Sequence, residues 1–507
     1  MSSNRKSILL FSGLLLVTML SSSSCSDDIS MPPISTIEPT GEQSPPSTLP
    51  PYEISVLWPS NELQDEQLVE EAINHILVPR INATIDLRPI DWGQWGDKLN
   101  LTFASQEKSD LIFTAAWSGY TDYVNRKALL PLNQLLDKYG TGIKAYMDPL
   151  LLYAPQIDGE LYAIPTNKEI AASTGVILRK DLVDKYHMDL SKVKKAEDLE
   201  PFLKIIFENE PHVTPFFMNA STSIASYNQY PDHLGDNNIS GIIMRNSSST
   251  RIIADDPQFL NMLNLTRNWY LKGYINRDAA TTHSTTVDHL RAKTIFAYAE
   301  SLKPGKDKEL EQNVKVPLVQ IELTVPTVTT GDLLSSMLAI SKNSKDPERA
   351  MMLINLLHTD KEILNLLVYG IEGRHYLKRS IDTIEEGPDN SNYNTGNNWM
   401  FGNQFLNYLG VNEDPEKWER LKEFNKKAIR SPGIGFTFNP EKVFKEILAC
   451  NAIGGKYYAA ISTGTIDPKI NYPKIQLELV NAGQNRIIAE KQRQFDQWLK
   501  LNGRSTR

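Results

Sequence analysis

Two cysteines, Cys25 and Cys450, are all that the 507 residues contain, so no disulfide framework holds this chain together. The longest apolar run, Ile8 to Leu20, falls short of the roughly 20 residues that a membrane-spanning helix needs. A basic surplus is missing as well. The chain has 53 Lys and Arg against 61 Asp and Glu, a formal net charge of -8, and no long basic stretch, which argues against a nucleic-acid binder. There is no GxSxG elbow, HExxH helix, phosphate-binding glycine loop or EF-hand spacing. His75, His187, His212, His358 and His375 are dispersed singly, so neither a metal nor a cofactor is expected.

The N-terminus is informative. Arg5 and Lys6 precede the apolar run, serines flank it, and Cys25 follows, which is the layout of a secretory signal peptide over residues 1–24. Ser22 to Ser24 before Cys25 resemble a bacterial lipoprotein processing site, in which Cys25 becomes the lipid-modified first residue. Ser22 stands where such sites usually carry Leu, and Leu20 lies two residues further upstream. Cleavage by ordinary signal peptidase, releasing a soluble protein, is the alternative. Residues 25–51 are rich in Pro, Ser and Thr and carry no aromatic residue. They have too little apolar content for a core and read as a tether, extended at roughly 3 Å per residue where polyproline geometry holds.

Folded sequence begins near Tyr52, and more than 450 residues beyond the signal are ample for a core in more than one domain. Glu53–Trp58 reads as a strand, and Gln64–Leu77 places Leu68, Ala72, Ile73, Ile76 and Leu77 on one helical stripe. Strands near 83–88 and 110–114 alternate with helices over 92–105 and 131–139, so the fold class is α/β with parallel units. Ligands of such sheets bind beyond the carboxyl ends of strands, which directs attention to Trp58–Asn61 and Ala115–Tyr120. Trp58 and Trp117 could flank one crevice and offer aromatic faces to sugar rings, or each could be core packing.

Further along, DLIFTAAW, LPLNQLLDKYG, DGELYAIPTNKE and GVILRKDLVDKY follow one another from Asp110 to Tyr186. In this order they resemble the extracellular solute-binding proteins of Gram-positive bacteria, which are similar to the maltose-binding type of periplasmic binding protein. The segment Ser336–Tyr376, ending in YGIEGRHY, resembles the lipoprotein-like subfamily common in Paenibacillus-type bacteria. Its C-terminal region is often classed as a domain of unknown function, and NPEKVFKEI through NAGQNRIIAEKQRQFDQWL is similar to it.

The resemblance implies a two-lobed type II periplasmic-binding-protein fold that closes about a hinge around a small polar ligand, expected to be an oligosaccharide. It implies a monomer that delivers this ligand to the permease subunits of an ABC importer, held by its lipid anchor at the outer face of the cell membrane. Lobe I is expected over 52–165 and 285–340, and lobe II over 166–284 and 341–507, with crossings near 165–173, 274–284 and 339–346. Candidate ligand residues are Trp58, Asn61, Trp117, Ser118 and Tyr120 from the first lobe and Asn167 and Glu169 from the first crossing. Trp269 is a further candidate or a core residue. Glu372 and Arg374 could bind hydroxyls or a carboxylate, or form structural ion pairs. Asn397, Asn398 and Trp399 lie in SNYNTGNNWMFGNQF, whose composition suits a carbohydrate surface or a self-capped loop.

Two other classes stay open. A secreted glycosidase needs two carboxylates about 5 or 6.5–9.5 Å apart, and among 61 acidic residues accidental pairs are expected. A ligand-binding accessory of a membrane sensor kinase would share the fold and differ only in its docking partner.

Overall fold

In the computed structural model, residues 49–227, 231–235, 238–244 and 250–503 are described; the expected signal segment, Cys25 and nearly all of the expected tether lie outside the described residues. The strand Tyr52–Pro59 buries six consecutive residues from Ile54 onward, the near-continuous apolar pattern of a strand covered on both faces. It pairs in parallel with Ala83–Ile90 on one side and Leu111–Thr114 on the other. Met337–Ile340 and Ala163–Pro165 complete a five-stranded sheet, with Met337–Ile340 antiparallel to both its neighbours. The first helix, Glu66–Ile81, covers this sheet with Val69, Ile73, Leu77 and Ile81, spaced four apart. Of the expected stripe, Ile73 and Leu77 are buried, Ala72 and Ile76 are half-buried, and Leu68 is 39% exposed, its place taken by Val69.

A second, four-stranded sheet runs in the order Leu318–Glu322, Ser173–Arg179, Ile295–Leu302, Thr214–Phe216. Only the last pair is parallel. Helices Glu200–Asn209 and Phe259–Leu271 bury Leu203, Ile206, Met262, Leu263 and Trp269 against it.

These two sheets head two separate cores, and the cores correct the expected lobe boundaries. The segment 285–340 does not return to the first lobe as a block, because Ile295–Leu302 and Leu318–Glu322 are central and edge strands of the second sheet. Conversely, the helices Pro347–Thr359 and Lys361–Tyr369 put Leu353, Ile354, Ile363 and Leu364 into the first core, as do Phe401, Phe424 and Ile434. The chain therefore recrosses between Glu322 and Met337, not at 274–284, and leaves the first core after residue 434, not at 339–346. Apolar strands carry no mark of which sheet they join; long-range pairing decides it.

The last helices, Phe444–Ser462, Pro468–Asn481 and Gln484–Leu501, lie on the second lobe's side. Ile461 and Ile475 enter the second core, while Ile447, Cys450, Ile487, Phe495 and Leu499 form a further core with Leu234, Ile243, Ile252, Phe436 and Phe438. Inside that region Lys491 is wholly buried, and its ammonium donates to the carbonyls of His233, Ile239 and Gly241 at 2.8–3.2 Å. Among the described residues no helix is long and apolar enough to cross a membrane.

Candidate functional site

Three chain segments join the lobes side by side. Ala172 and Thr327 exchange backbone hydrogen bonds of 3.1 and 2.9 Å, and Thr327–Val328 pairs in parallel with Ile429–Arg430. The Asn425 amide oxygen accepts from the backbone N–H groups of Ile170 and Ala171, fixing the first crossing to the helix Lys417–Lys427.

Beside this joint opens a cavity of about 1030 Å³ whose wall draws on both lobes. The crossing contributes Lys168 to Ala172, and the second lobe contributes Glu300 to Lys303 and one face of the helix Lys306–Val314. Tyr369, Asn398, Trp399, Gln404 and the 410–417 stretch come from the first-lobe side. The lobes approach closely here: a side chain on Gly410 would meet the Gln312 amide nitrogen at 3.2 Å.

A chain of ion pairs runs along this wall. Lys303 Nζ lies 3.1 Å from Glu169 and 3.2 Å from Glu309, and Lys417 Nζ lies 2.8 Å from Glu309 and 2.5 Å from Glu413. Lys168 Nζ stands 3.6 Å from the Glu169 carboxylate. Burial alone would push the Glu169 carboxyl up, but Lys168 and Lys303 overcome it and hold it down at about 2. The Glu309 carboxyl is held below its usual range and the Lys303 and Lys417 ammoniums above theirs, again because neighbouring opposite charge outweighs burial. These lysines neutralise the carboxylates on which they converge. Glu300, in the same wall, goes the other way, its carboxyl pushed above the usual range by burial. Glu169 Oε2 and Gln404 Oε1 are buried and have no hydrogen-bond partner among the described residues.

An aromatic array leads outward from the same wall. Trp399, half-buried in it, stands 5.8 Å from Phe113 and 6.5 Å from Trp117. Trp117 is 56% exposed and stacks on Trp92, with centroids 6.3 Å apart and planes 21° off parallel. Its Nε1–H donates to the Ser335 carbonyl at 2.9 Å, and Ser335 lines the cavity.

Of the residues expected from sequence, the structure brings Glu169, Asn398 and Trp399 to the cavity, with Trp117 beside them. Others are elsewhere. Trp58 is wholly buried, edge-on to Phe401 at 5.5 Å, because its strand is covered on both faces. Tyr120 is also core, its hydroxyl donating to the Pro155 carbonyl, and Ser118 accepts from the Trp95 indole. Trp269 packs in the second core against Phe216. Asn61 is exposed and outside the lining, and Asn397 is buried, donating to the Pro59 carbonyl. Asn167 faces a smaller cavity of about 510 Å³. Glu372 pairs with Lys378, and Arg374 pairs with Asp65 and Asp389, so the YGIEGRHY loop is a structural clamp. Buried His375 accepts the Ile371 N–H at Nδ1 and reaches the same Asp65 carboxylate through Nε2, completing it.

Lys303, Glu309, Lys417 and Trp92 went unnoticed in the sequence. Lys303 follows a strand, Glu309 and Lys417 lie on two different helices, and nothing local marks that they meet across the joint.

Residues 81–362, more than half of the chain, match the family described as bacterial extracellular solute-binding protein, and residues 432–500 match a domain of unknown function, DUF3502. This chain belongs to the bacterial extracellular solute-binding proteins. The solute-binding protein is 30% identical over 440 residues to a carbohydrate ABC transporter substrate-binding protein of Streptococcus pneumoniae serotype 4, covering 84% of this chain and 87% of that one. It superposes on the N-glycan transport solute binding protein (NgtS) of Streptococcus pneumoniae with a TM-score of 0.83 at 27% identity, over 89% of this chain and all of that one. Against complexes of that protein with Man1GlcNAc and Man5GlcNAc the TM-scores are 0.74 and 0.71, at 26% and 27% identity and over 89% of this chain. Those cover 100% and 99% of the neighbour's chain, so the solute-binding protein shares its type II fold throughout.

Proposed function

We propose that this solute-binding protein captures an oligosaccharide for an ABC importer, in the cavity between its lobes. The observation that carries the reading is the combination of a cavity of about 1030 Å³ with a row of indoles leading out of it. That volume sits at the upper end of the range for small-molecule sites, room for more than one sugar ring. Trp399 and Trp117 offer flat apolar faces to the C–H faces of sugars, while Asn398, Gln404 and the Glu169 carboxylate offer partners to hydroxyls. The names of the pneumococcal relatives support a saccharide over a peptide. Cys25, where processing leaves it lipid-modified, tethers the protein to the outer face of the membrane beside its permease.

The test is thermal unfolding of the full chain against Man1GlcNAc, Man5GlcNAc, unrelated plant oligosaccharides and short peptides. A ligand at a hundred times its Kd adds about 2.7 kcal/mol to stability. A saturable rise with one glycan class, with the glycan recovered intact, supports the proposal. A rise with peptides alone removes the saccharide, and cleavage of the glycan removes the binding-protein reading.

A further inference from the structure

The ion chain in the cavity wall is built from three pairs, each contained within one piece of the molecule. Lys168 has Glu169 on the first crossing, Lys303 has Glu309 on the second lobe, and Lys417 has Glu413 on the first-lobe side. Two contacts link the pieces, Lys303 to Glu169 at 3.1 Å and Lys417 to Glu309 at 2.8 Å. Every cation therefore keeps a carboxylate of its own when the pieces part. Stranding a buried charge is the main cost of breaking such pairs, and this arrangement avoids it. Side-chain exposures of 7–27% for Lys303, Glu309 and Lys417 mean that bulk salt screens the linking contacts only weakly.

A contact weights the arrangement in which it is made. This chain matches one structure of the pneumococcal neighbour with a TM-score of 0.83 and its complexes with Man1GlcNAc and Man5GlcNAc with 0.74 and 0.71, a difference between those structures. We infer that Glu309 and Lys417 are positioning residues: they form a detachable clasp that holds the lobes in the present arrangement, and a ligand that selects another arrangement binds against it. The apparent Kd then carries the reciprocal of the competent fraction, and loosening the clasp tightens binding. The inference rests on the proposed capture between lobes, but its first readout needs no ligand.

Lys417→Gln is the discriminating variant, since it removes the link to Glu309 and leaves Lys303 with its own Glu309 and Lys168 with Glu169. Small-angle X-ray scattering of the full chain without ligand is expected to show a changed radius of gyration, and calorimetric titration with Man5GlcNAc a Kd on the order of fivefold lower. The ligand-free melting temperature should not rise. Glu419→Gln, which removes only an exposed pair with Lys422 on the helix Lys417–Lys427, away from the cavity, should leave scattering and Kd as in the parent. A substitution that merely damages the fold weakens binding or leaves it alone; it does not tighten it. An unchanged scattering profile, or a Kd equal to or higher than the parent's, overturns the clasp. Should no glycan of the thermal-unfolding panel bind the parent, the saccharide proposal falls and scattering alone still decides the clasp.

Discussion

Trp117 and Trp399 meet with their ring centroids 6.5 Å apart and their planes inclined by 47°, although 282 positions separate them in the chain. The second ring lies in the cavity wall, and the first carries the aromatic surface out to solvent. Leaving that much indole exposed removes little water from apolar surface in the free protein, so the gain is available to a partner that covers it.

Trp399→Ala is therefore expected to weaken Man5GlcNAc binding about tenfold or more, equivalent to about 1.4 kcal/mol. Trp117→Ala should weaken it less. Because Trp117 is 56% exposed, its removal should change the unfolding free energy by less than its effect on binding. Calorimetric titration beside urea unfolding checks both; unchanged affinity in both variants takes the array out of the site.

Trp58→Ala should show the opposite pattern. Trp58 is 0% exposed and packs on Phe401, so truncation leaves a large void and costs about 3–5 kcal/mol. Trp58→Phe, which keeps an aromatic ring, should retain most of the stability and the parent's ligand Kd. A large loss of affinity in a folded Trp58→Phe protein would return this residue to the site.

The clasp has a pH window. The Glu169 carboxyl falls from an ordinary 4.5 to about 2 on folding, so its stabilisation is complete above pH 4.5 and is lost as pH falls through about 2. The Lys303 and Lys417 ammoniums are raised above their ordinary 10.5, so their share is complete below pH 10.5 and fades above it. Denaturant unfolding between pH 2 and 5 should show stability falling toward acid, with a shallower slope in Glu169→Gln. Equal slopes would mean that other carboxylates carry the acid response.

Lys491→Met should cost about 3–5 kcal/mol, because three buried carbonyls lose their donor at once. The damage should be local. Amide exchange should quicken most in the strand pair Pro231–Asp232 and Ile243–Met244, which brackets those carbonyls, and the first sheet should exchange as before.

The strands at 52–59, 83–90 and 111–114 were legible because period and composition agree over short distances. Trp399 and Asn398 were legible from the polar, aromatic loop that holds them. Trp58 and Tyr120 were misplaced for a physical reason: one stands at a strand end and the other opens a short helix beyond a strand, where the chain either turns toward a ligand or caps the core. Only the covering layer, Phe401 for one and the Pro155 carbonyl for the other, settles which. Arg374 and Glu372 share the same ambiguity, resolved by Asp65 and Lys378.

By itself the sequence determined the local alternation of strand and helix, the dependence on core burial in place of disulfides, and the family resemblance. Tertiary structure alone decided which strands share a sheet, where the chain crosses between lobes, and which charges meet at the joint. The reason is range: periodicity and turn chemistry act over a few residues, whereas Glu169, Lys303, Glu309 and Lys417 become neighbours only after two sheets have formed and docked.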